Sequence, residues 1–317
     1  MAAPTNTATT LTTKGIREDL ENMIYRVEPE ETPFISNIGT VKCTNTFHEW
    51  QTESLDTPSA TNAHLEGDDV GTLDSPNNTD RIGNYCQIFQ KTTGGSRTNE
   101  IVNKAGRKSD LNRQKTLKGI ALRRDMEMRF LGNYASNAES GATPRHSAGL
   151  NAFCTTSVSN GAGGSNGGFS GGTVSAATAG TTRSFTEQLV KDVMATAFSK
   201  GARPSQVYLG GTDKQTFSTF NGIASNRSEV SGQKLATIIG GADVYVSDFG
   251  PLRLIPHPYA ISDFAAFVTP SMVAVGTLDG YKVAPLGKSG DNTKFLMTRE
   301  CTLVVKNERS HAMIRAI

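Results

Sequence analysis

Apolar residues in this chain fall into short clusters separated by long polar stretches, and the spacing inside each cluster sets the element expected there. Ile16, Leu20, Met23 and Ile24 recur at i, i+4, i+7 and i+8, the stripe of a short helix over residues 15–26. Pro29 and Pro33 stop it, because the residue before a proline is pushed toward extended geometry. Residues 1–15 are Thr- and Ala-rich and aperiodic, so they are expected to be flexible. Residues 46–54 and 84–92, rich in aromatics and Thr, read as strands. The polar stretch 57–83 between them makes a long hairpin with too few apolar residues to bury itself. At ~3.3 Å per residue its arms can reach several tens of Å.

The longest helix is expected over 108–131, with Ser109 as N-cap and Gly132 as its stop. Its apolar stripe would be Leu117, Ile120, Ala121, Met128 and Leu131. The opposite side carries Lys104, Arg107, Lys108, Lys115, Lys118 and Arg129, a basic face open to an acidic partner. Residues 156–182, dominated by Gly, Ser, Thr and Asn, read as a mobile surface loop or an extended connection outside the core. Ser184, with Glu187 three residues on, reads as the capping box of a helix that buries Phe185, Leu189, Val190, Val193, Met194, Ala197 and Phe198 and ends at Gly201. Short strands follow at 206–209, 242–247, 252–255, 264–268 and 272–275, with a helix at 213–220 and a closing strand at 294–306. No fixed-period repeat is present. The pattern is that of an α+β protein with a projecting hairpin.

Length changes this picture little: 317 residues suggest about two domains. Charge changes it more. The total is +2, which argues against a dedicated nucleic-acid binder. Residues 46–80, however, hold eight acids (among them Glu53, Asp56, Glu66, Asp68, Asp69 and Asp74) and no Lys or Arg. Residues 81–129 hold twelve basic side chains against four acidic ones, so two adjacent blocks of −8 and +8 are complements. They are expected to meet, within one chain or between copies. No apolar run approaches the ~20 residues of a membrane span, and the N-terminus has no apolar signal core, so a soluble protein made in a cytoplasm is expected.

Candidate chemistry is sparse. Cys43, Cys86, Cys154 and Cys301 are far apart and form no C-x-x-C pair, so ordinary buried thiols are expected. The segment from Lys282 to Ser289 resembles the end of a P-loop but lacks the first Gly and has Pro285 inside it. Gly168-Phe169-Ser170-Gly171-Gly172 fits G-x-S-x-G, whose nucleophile needs a strand before it and a helix after it. Within a Gly-rich run that match arises from composition, and a Ser170 hydrolase is kept only as a rival reading. The five histidines are scattered, Asp68, Asp69 and Asp74 lack the Gly and terminal Glu of an EF-hand loop, and no cofactor or metal set is expected. Trp50 on the hairpin is a candidate interface anchor, with packing on its own subunit the alternative.

Three stretches carry a family likeness. They are Asp19-Leu20 through Ile24-Tyr25-Arg26-Val27-Glu28-Pro29 to Phe34, then Val244-Tyr245-Val246-Ser247-Asp248-Phe249-Gly250, then Lys288-Ser289-Gly290-Asp291 with Thr298-Arg299-Glu300-Cys301-Thr302-Leu303. In this order they resemble the major capsid proteins of tailed bacteriophages, of Hong Kong 97-type fold and a podovirus-like branch. The resemblance covers essentially the whole chain. It implies an N-terminal arm at 1–45, an extended loop at 46–95, and a peripheral domain with a spine helix at 96–132 and 288–317. It also implies an axial domain at 133–287, with residues 288–291 as the turn between domains. It implies self-assembly into hexamers and pentamers of a virion shell around double-stranded DNA, formed in the host cytoplasm, with separate scaffolding, portal and decoration proteins as further partners. Trp50, Glu53, Asp56, Glu66, Asp68 and Asp69 would meet Lys104, Arg107, Lys108, Lys115 and Lys118 of a neighbour. The rivals are an encapsulin-like compartment shell, the Ser170 hydrolase and a DNA binder using the basic helix.

Overall fold

The computed structural model describes residues 31–220, 243–259 and 263–317, apart from 68, 70, 72 and 289. The helix expected over 15–26 lies outside them. The first element, α1 (Pro33–Asn37), begins at a proline whose fixed φ suits a helix start and whose missing N–H costs nothing there. β1 (Gly39–Lys42) follows. β2 (Phe47–Thr52) and β3 (Asp80–Tyr85) pair antiparallel, Phe47 opposite Tyr85 and Thr52 opposite Asp80. The chain continues through β4 (Gln87–Ser96), α2 (Arg97–Ile101) and α3 (Asp110–Leu131). Next come α4 (Leu150–Phe153), β5 (Val158–Ser159), β6 (Gly168–Ser170), β7 (Thr173–Ser175) and α5 (Glu187–Ser199). Then β8 (Gln206–Leu209), α6 (Gly211–Ser218), β9 (Val244–Ser247), β10 (Gly250–Pro256) and β11 (Phe264–Val268). The long strands β12 (Val273–Leu286) and β13 (Asn292–Val305) lead to the last, β14 (Ala312–Arg315).

Two sheets organise these elements. One has the order β1-β12-β13-β4, with β1 parallel to β12 and the remaining pairs antiparallel. The other has the order β5-β14-β11-β8-β10-β9. Side chains on a strand alternate between faces, and β11 uses both: Phe264, Ala266 and Val268 enter one core, Ala265 and Phe267 the other. Tyr208 and Met313 join the first core, while Val207, Leu209, Ala312 and Ile314 join the second. The six-stranded sheet is thus a wall between two cores. The first is closed by α3 (Leu122, Met126, Phe130) and Phe34, the second by α5 (Val190, Val193, Met194, Ala197) and Phe217. Burying each such side chain contributes about 1.5–3 kcal/mol.

Several expectations change. The predicted strand at 84–92 is split by Cys86, and its second half belongs to the four-stranded sheet rather than to the hairpin. The helix expected from 108 begins at Asp110, with Ser109 accepting from Asn112 N as expected. Of its five predicted stripe residues only Leu131 is fully buried, and Met128 is exposed. The buried face is Leu122, Met126, Glu127, Phe130 and Leu131, with a glutamate four residues before Leu131 inside it. The capping residue of α5 is Thr186, not Ser184: its hydroxyl accepts from Leu189 N. The helix expected at 213–220 runs from Gly211 to Ser218. Residues 288, 290 and 291 lie between β12 and β13, which pair within one sheet, and β14 pairs in the other.

Residues 156–182 are not a loose loop. They fold into β5, β6 and β7, with Val174 in the first core. Here Gly serves close packing: a Cβ at Gly167 would lie 2.0 Å from Ser175 O. The anchor is Arg315, a residue only 1% exposed. Its Nε donates to Asn151 Oδ1 at 2.6 Å, its Nη1 to Asn160 Oδ1 at 3.0 Å and Asn166 Oδ1 at 3.1 Å, and its Nη2 to the carbonyls of Asn151 at 2.5 Å and Cys154 at 2.9 Å. A second polar anchor holds the entry of the chain. α1 has no side-chain cap of its own, and Glu127 of α3 supplies one, accepting from Phe34 N at 2.6 Å and Ile35 N at 2.8 Å. His257 Nε2 lies 3.0 Å from the same carboxylate. Both side chains are buried.

A third buried group sets a pH dependence. Burial lowers the pKa of His311 from 6.5 to about 4, with a backbone contact at Met272 opposing. Its Nδ1 accepts from Thr269 N at 3.3 Å. Below pH 6.5 the unfolded chain takes up a proton that the folded chain refuses until about 4, so stability is lost as pH falls through that window. This residue's share between pH 7 and pH 5 is about 2 kcal/mol. Urea unfolding at the two pH values should show His311→Gln losing that much of the parent's pH slope. An unchanged slope would refute the assignment.

Candidate inter-subunit surface

The predicted surface residues divide into three groups. Trp50, on β2, is half-buried and packs on its own subunit, its ring 6.1 Å from that of Phe153. Its Nε1 is buried without a hydrogen-bond partner among the described residues. Glu53, Asp56, Glu66 and Asp69 are all exposed in the segment 53–79, and Asp68 lies outside the described residues. That segment contains no strand or helix among its described residues, in keeping with a projection that cannot bury itself.

The basic group is more dispersed than one helix face. Lys104, Arg107 and Lys108 precede α3, so they are not on the helix at all. Arg107 pairs with Asp110 at 2.8 Å. Lys115 turns inward, its Nζ 3.5 Å from the centroid of the Phe295 ring, a cation–π contact that uses the charge locally. Other charges of the block are also used inside the subunit. Lys91 pairs with Asp125 at 2.5 Å, Arg81 with Glu49 at 2.5 Å, and Arg129 donates to the carbonyls of Ser147 and Ala135. Lys108 and Lys118 form no ion pair among the described residues.

What the sequence reading missed lies beside these groups. A groove of about 530 Å³ runs between α3 and β12–β13, with Ile120, Tyr281 and Val283 on its apolar side and Lys115, Arg123 and Arg299 among its lining residues. Arg123 donates to Ser36 Oγ at 2.8 Å, and Arg299 Nε has no hydrogen-bond partner among the described residues. On the segment 53–79, three leucines stand out in solvent: Leu55 is 93% exposed, Leu65 79% and Leu73 81%. The signal was in the sequence, since each is followed directly by an acid (Asp56, Glu66 and Asp74).

The motif near-misses resolve on geometry. Ser170 ends β6 and is followed by the turn Gly171–Gly172, with φ of +58° and +85°, into β7. Two residues of positive φ make the tight hairpin turn that glycine permits, so no helix follows the serine. The P-loop-like segment starts inside β12, and the next element in the chain is the strand β13, so it has no following helix N-terminus to hold phosphate. All four cysteines are buried free thiols. Burial pushes the Cys301 thiol up to about 12, away from reactivity.

Comparison with known proteins gives one consistent answer. Residues 3–317 match the SU10 major capsid protein family. The major capsid protein of Escherichia phage Phieco32 is 30% identical over 121 residues, which span 38% of this chain and 34% of that relative. Among solved structures, the capsid asymmetric unit of cyanophage A-1(L) superposes with a TM-score of 0.65 at 12% identity, covering 98% of this chain and 99% of that one. A subunit from the capsid of a native GTA particle gives 0.61 at 10% identity over 96% and 97%. A chain from Gordonia phage Cozz gives 0.61 at 10% over 99% and 96%. At these identities the likeness is one of fold, and the α+β capsid fold expected from the sequence is the fold observed.

Proposed function

The chain belongs to the SU10 major capsid protein family, and from that premise we propose that it builds the icosahedral head of a tailed phage and encloses double-stranded DNA. The observation that carries this reading is the family match across residues 3–317, joined to a capsid fold over nearly the whole chain. Its work is structural: one chain repeats in hexamers and pentamers, with the arm at 1–45 and the loop at 46–95 adjusting to each setting. Residues 96–132 with 288–317 make the peripheral part and 133–287 the axial part. Strand pairing favours one adjustment, moving β12 to the first and β14 to the second. A podovirus-like branch, assembly in the host cytoplasm and separate scaffolding, portal and decoration proteins complete the proposal, resting on the resemblance alone.

Imaging the purified protein tests it directly. Closed shells are expected, with nuclease-protected double-stranded DNA in particles from infected cells. A monodisperse subunit that forms no shell would overturn the reading. Shells filled with protein cargo would favour an encapsulin-like compartment instead.

The contact between copies is electrostatic in part. The acidic segment, with Glu53, Asp56, Glu66, Asp68 and Asp69, meets a basic surface of a neighbour to which Lys104, Arg107, Lys108, Lys115 and Lys118 belong. Exposed ion pairs contribute only about 0.2–1 kcal/mol each, but a shell repeats them, and like charges disfavour wrong registers. Screening acts over ~8 Å at physiological salt. Rising salt should therefore loosen capsomers, read by light scattering; association that ignores ionic strength would remove the electrostatic part.

A further inference from the structure

We propose that Asn166 is a self-modifying site, at which the side-chain amide is lost to water and an aspartate is left facing the Arg315 guanidinium. The inference stands apart from the capsid reading and concerns the single subunit. Asn-Gly steps are those at which a chain cyclises most readily, because the missing Cβ of glycine lets its nitrogen approach the preceding side-chain amide. Residues 156–182 hold two of them, Asn160-Gly161 and Asn166-Gly167. The structure treats the two differently. Gly161 N donates to Ala179 O at 2.8 Å and is held away from attack, whereas Gly167 N has no hydrogen-bond acceptor among the described residues. Asn166 is exposed, so water reaches it, and Asn160 is half-buried.

A pair of donors on the reacting carbonyl adds a second reason. Asn166 Oδ1 accepts from Arg315 Nη1 at 3.1 Å and from Asn160 Nδ2 at 2.8 Å. Two donors at such distances form an oxyanion hole for a tetrahedral intermediate at Cγ. In the first step Gly167 N gives up its proton and bonds to Asn166 Cγ. The Cγ–Nδ2 bond breaks, Nδ2 surrenders its 2.8 Å bond to Thr155 O, and ammonia leaves behind a succinimide. Water then adds to Cγ, still polarised by the same two donors, and the Cγ–N bond opens to a carboxylate with the main chain restored. Addition at the main-chain carbonyl would instead insert a carbon into the backbone, where even a Cβ on Gly167 would lie 2.0 Å from Ser175 O. The net change is one water taken up and one ammonia released. It supplies a carboxylate to Arg315, whose acceptors are all neutral oxygens. Charge-assisted hydrogen bonds are roughly twice as strong as neutral ones, so residues 156–182 are fastened more firmly to β14 as the protein ages.

Peptide mass mapping of the full chain, held folded in mildly alkaline buffer, reads the change. Residues 146–183 form one tryptic peptide, and its fragmentation separates the two sites. Asn166 should gain one mass unit ~10-fold or more ahead of Asn160, and heavy oxygen from labelled water should enter with it. In urea the two steps should convert at similar rates, because the donors and the tie on Gly161 are gone. Equal rates in the folded protein, or a native Asn166 slower than the unfolded one, would overturn the proposal. So would isoaspartate as the main product, scored by protein isoaspartyl methyltransferase. Asn160→Ala removes one donor and should slow conversion at Asn166 about tenfold, and an unchanged rate refutes the oxyanion pair. Asn166→Asp, made directly, guards against a loosened segment in that variant. It should resist proteolysis within residues 156–182 for longer than the parent, and faster cleavage refutes the ion pair with Arg315.

Discussion

Replacing Arg315 by methionine should destabilise the folded subunit by about 3–5 kcal/mol, since each buried acceptor left unpaired costs about 1–3 kcal/mol and removal of a buried charge offsets part of the sum. Three buried acceptors lose their donor, Oδ1 and O of Asn151 and O of Cys154, along with Oδ1 of half-buried Asn160; Asn166 is exposed, and its Oδ1 keeps a hydrogen bond from Asn160 Nδ2 at 2.8 Å. All five acceptors are amide or carbonyl oxygens, so the guanidinium acts as a spread of five directed donors rather than half of an ion pair. Burial lowers its pKa from the usual 12.5, yet it keeps its proton at any working pH. Arg315→Lys should cost less, about 2 kcal/mol, because an ammonium has three donors and cannot span the site. Urea unfolding of the unassembled subunit measures both. The same variants should expose residues 156–182 to limited proteolysis, since Asn160 and Asn166 tie that segment to β14. A methionine variant with parental stability and parental protease resistance would refute the role.

Glu127→Ala should cost about 3 kcal/mol, since two backbone N–H groups and a buried imidazole lose one shared acceptor at about 1–3 kcal/mol each, with partial relaxation. Phe34 N and Ile35 N belong to the first turn of α1, where a helix has no acceptor of its own. Glu127→Gln separates shape from chemistry. It keeps the volume but replaces one acceptor oxygen with an NH₂ that faces an N–H donor, so about 2 kcal/mol should still be lost. The diagnostic is local. Hydrogen exchange at Phe34 and Ile35 should accelerate in both variants more than exchange in β11, whose amides are held by the sheet. Uniform acceleration across the chain would mean that Glu127 supports the core in general and not the start of α1.

These two anchors mark the limit of what could be read from residues alone. Strong local patterns carried through: the strand at Phe264–Val268 and the strand at Gln206–Leu209 stand where expected, and the apolar face of α5 is buried at Val190, Val193, Met194 and Ala197. The expected root of the projecting hairpin is present in β2 and β3. Failures came where a polar side chain holds an apolar position. Glu127 stands beside Met126 and four residues before Leu131 on the buried face, and periodicity counts a charged residue there as surface. Arg315 ended the last short strand and so hid β14. Residues 156–182 misled by composition, because glycine marks both looseness and close approach, and only tertiary contacts separate the two. The charge blocks were legible as totals, whereas pairs such as Lys91–Asp125 and the cation–π contact of Lys115 depend on strands meeting across the sheet.

The clasp at Glu127 also decides where tension goes. Any pull on the residues before Glu31 meets the paired N–H groups of Phe34 and Ile35 before it reaches β1, whose hold on β12 is four residues of parallel pairing. The load passes sideways into α3, a rod of 22 residues and ~33 Å whose inner face is packed through Leu122, Met126 and Phe130. The arrangement works as a cable clamp beside a solder joint: load arriving at α1 is taken up by α3 while the first strand stays in register.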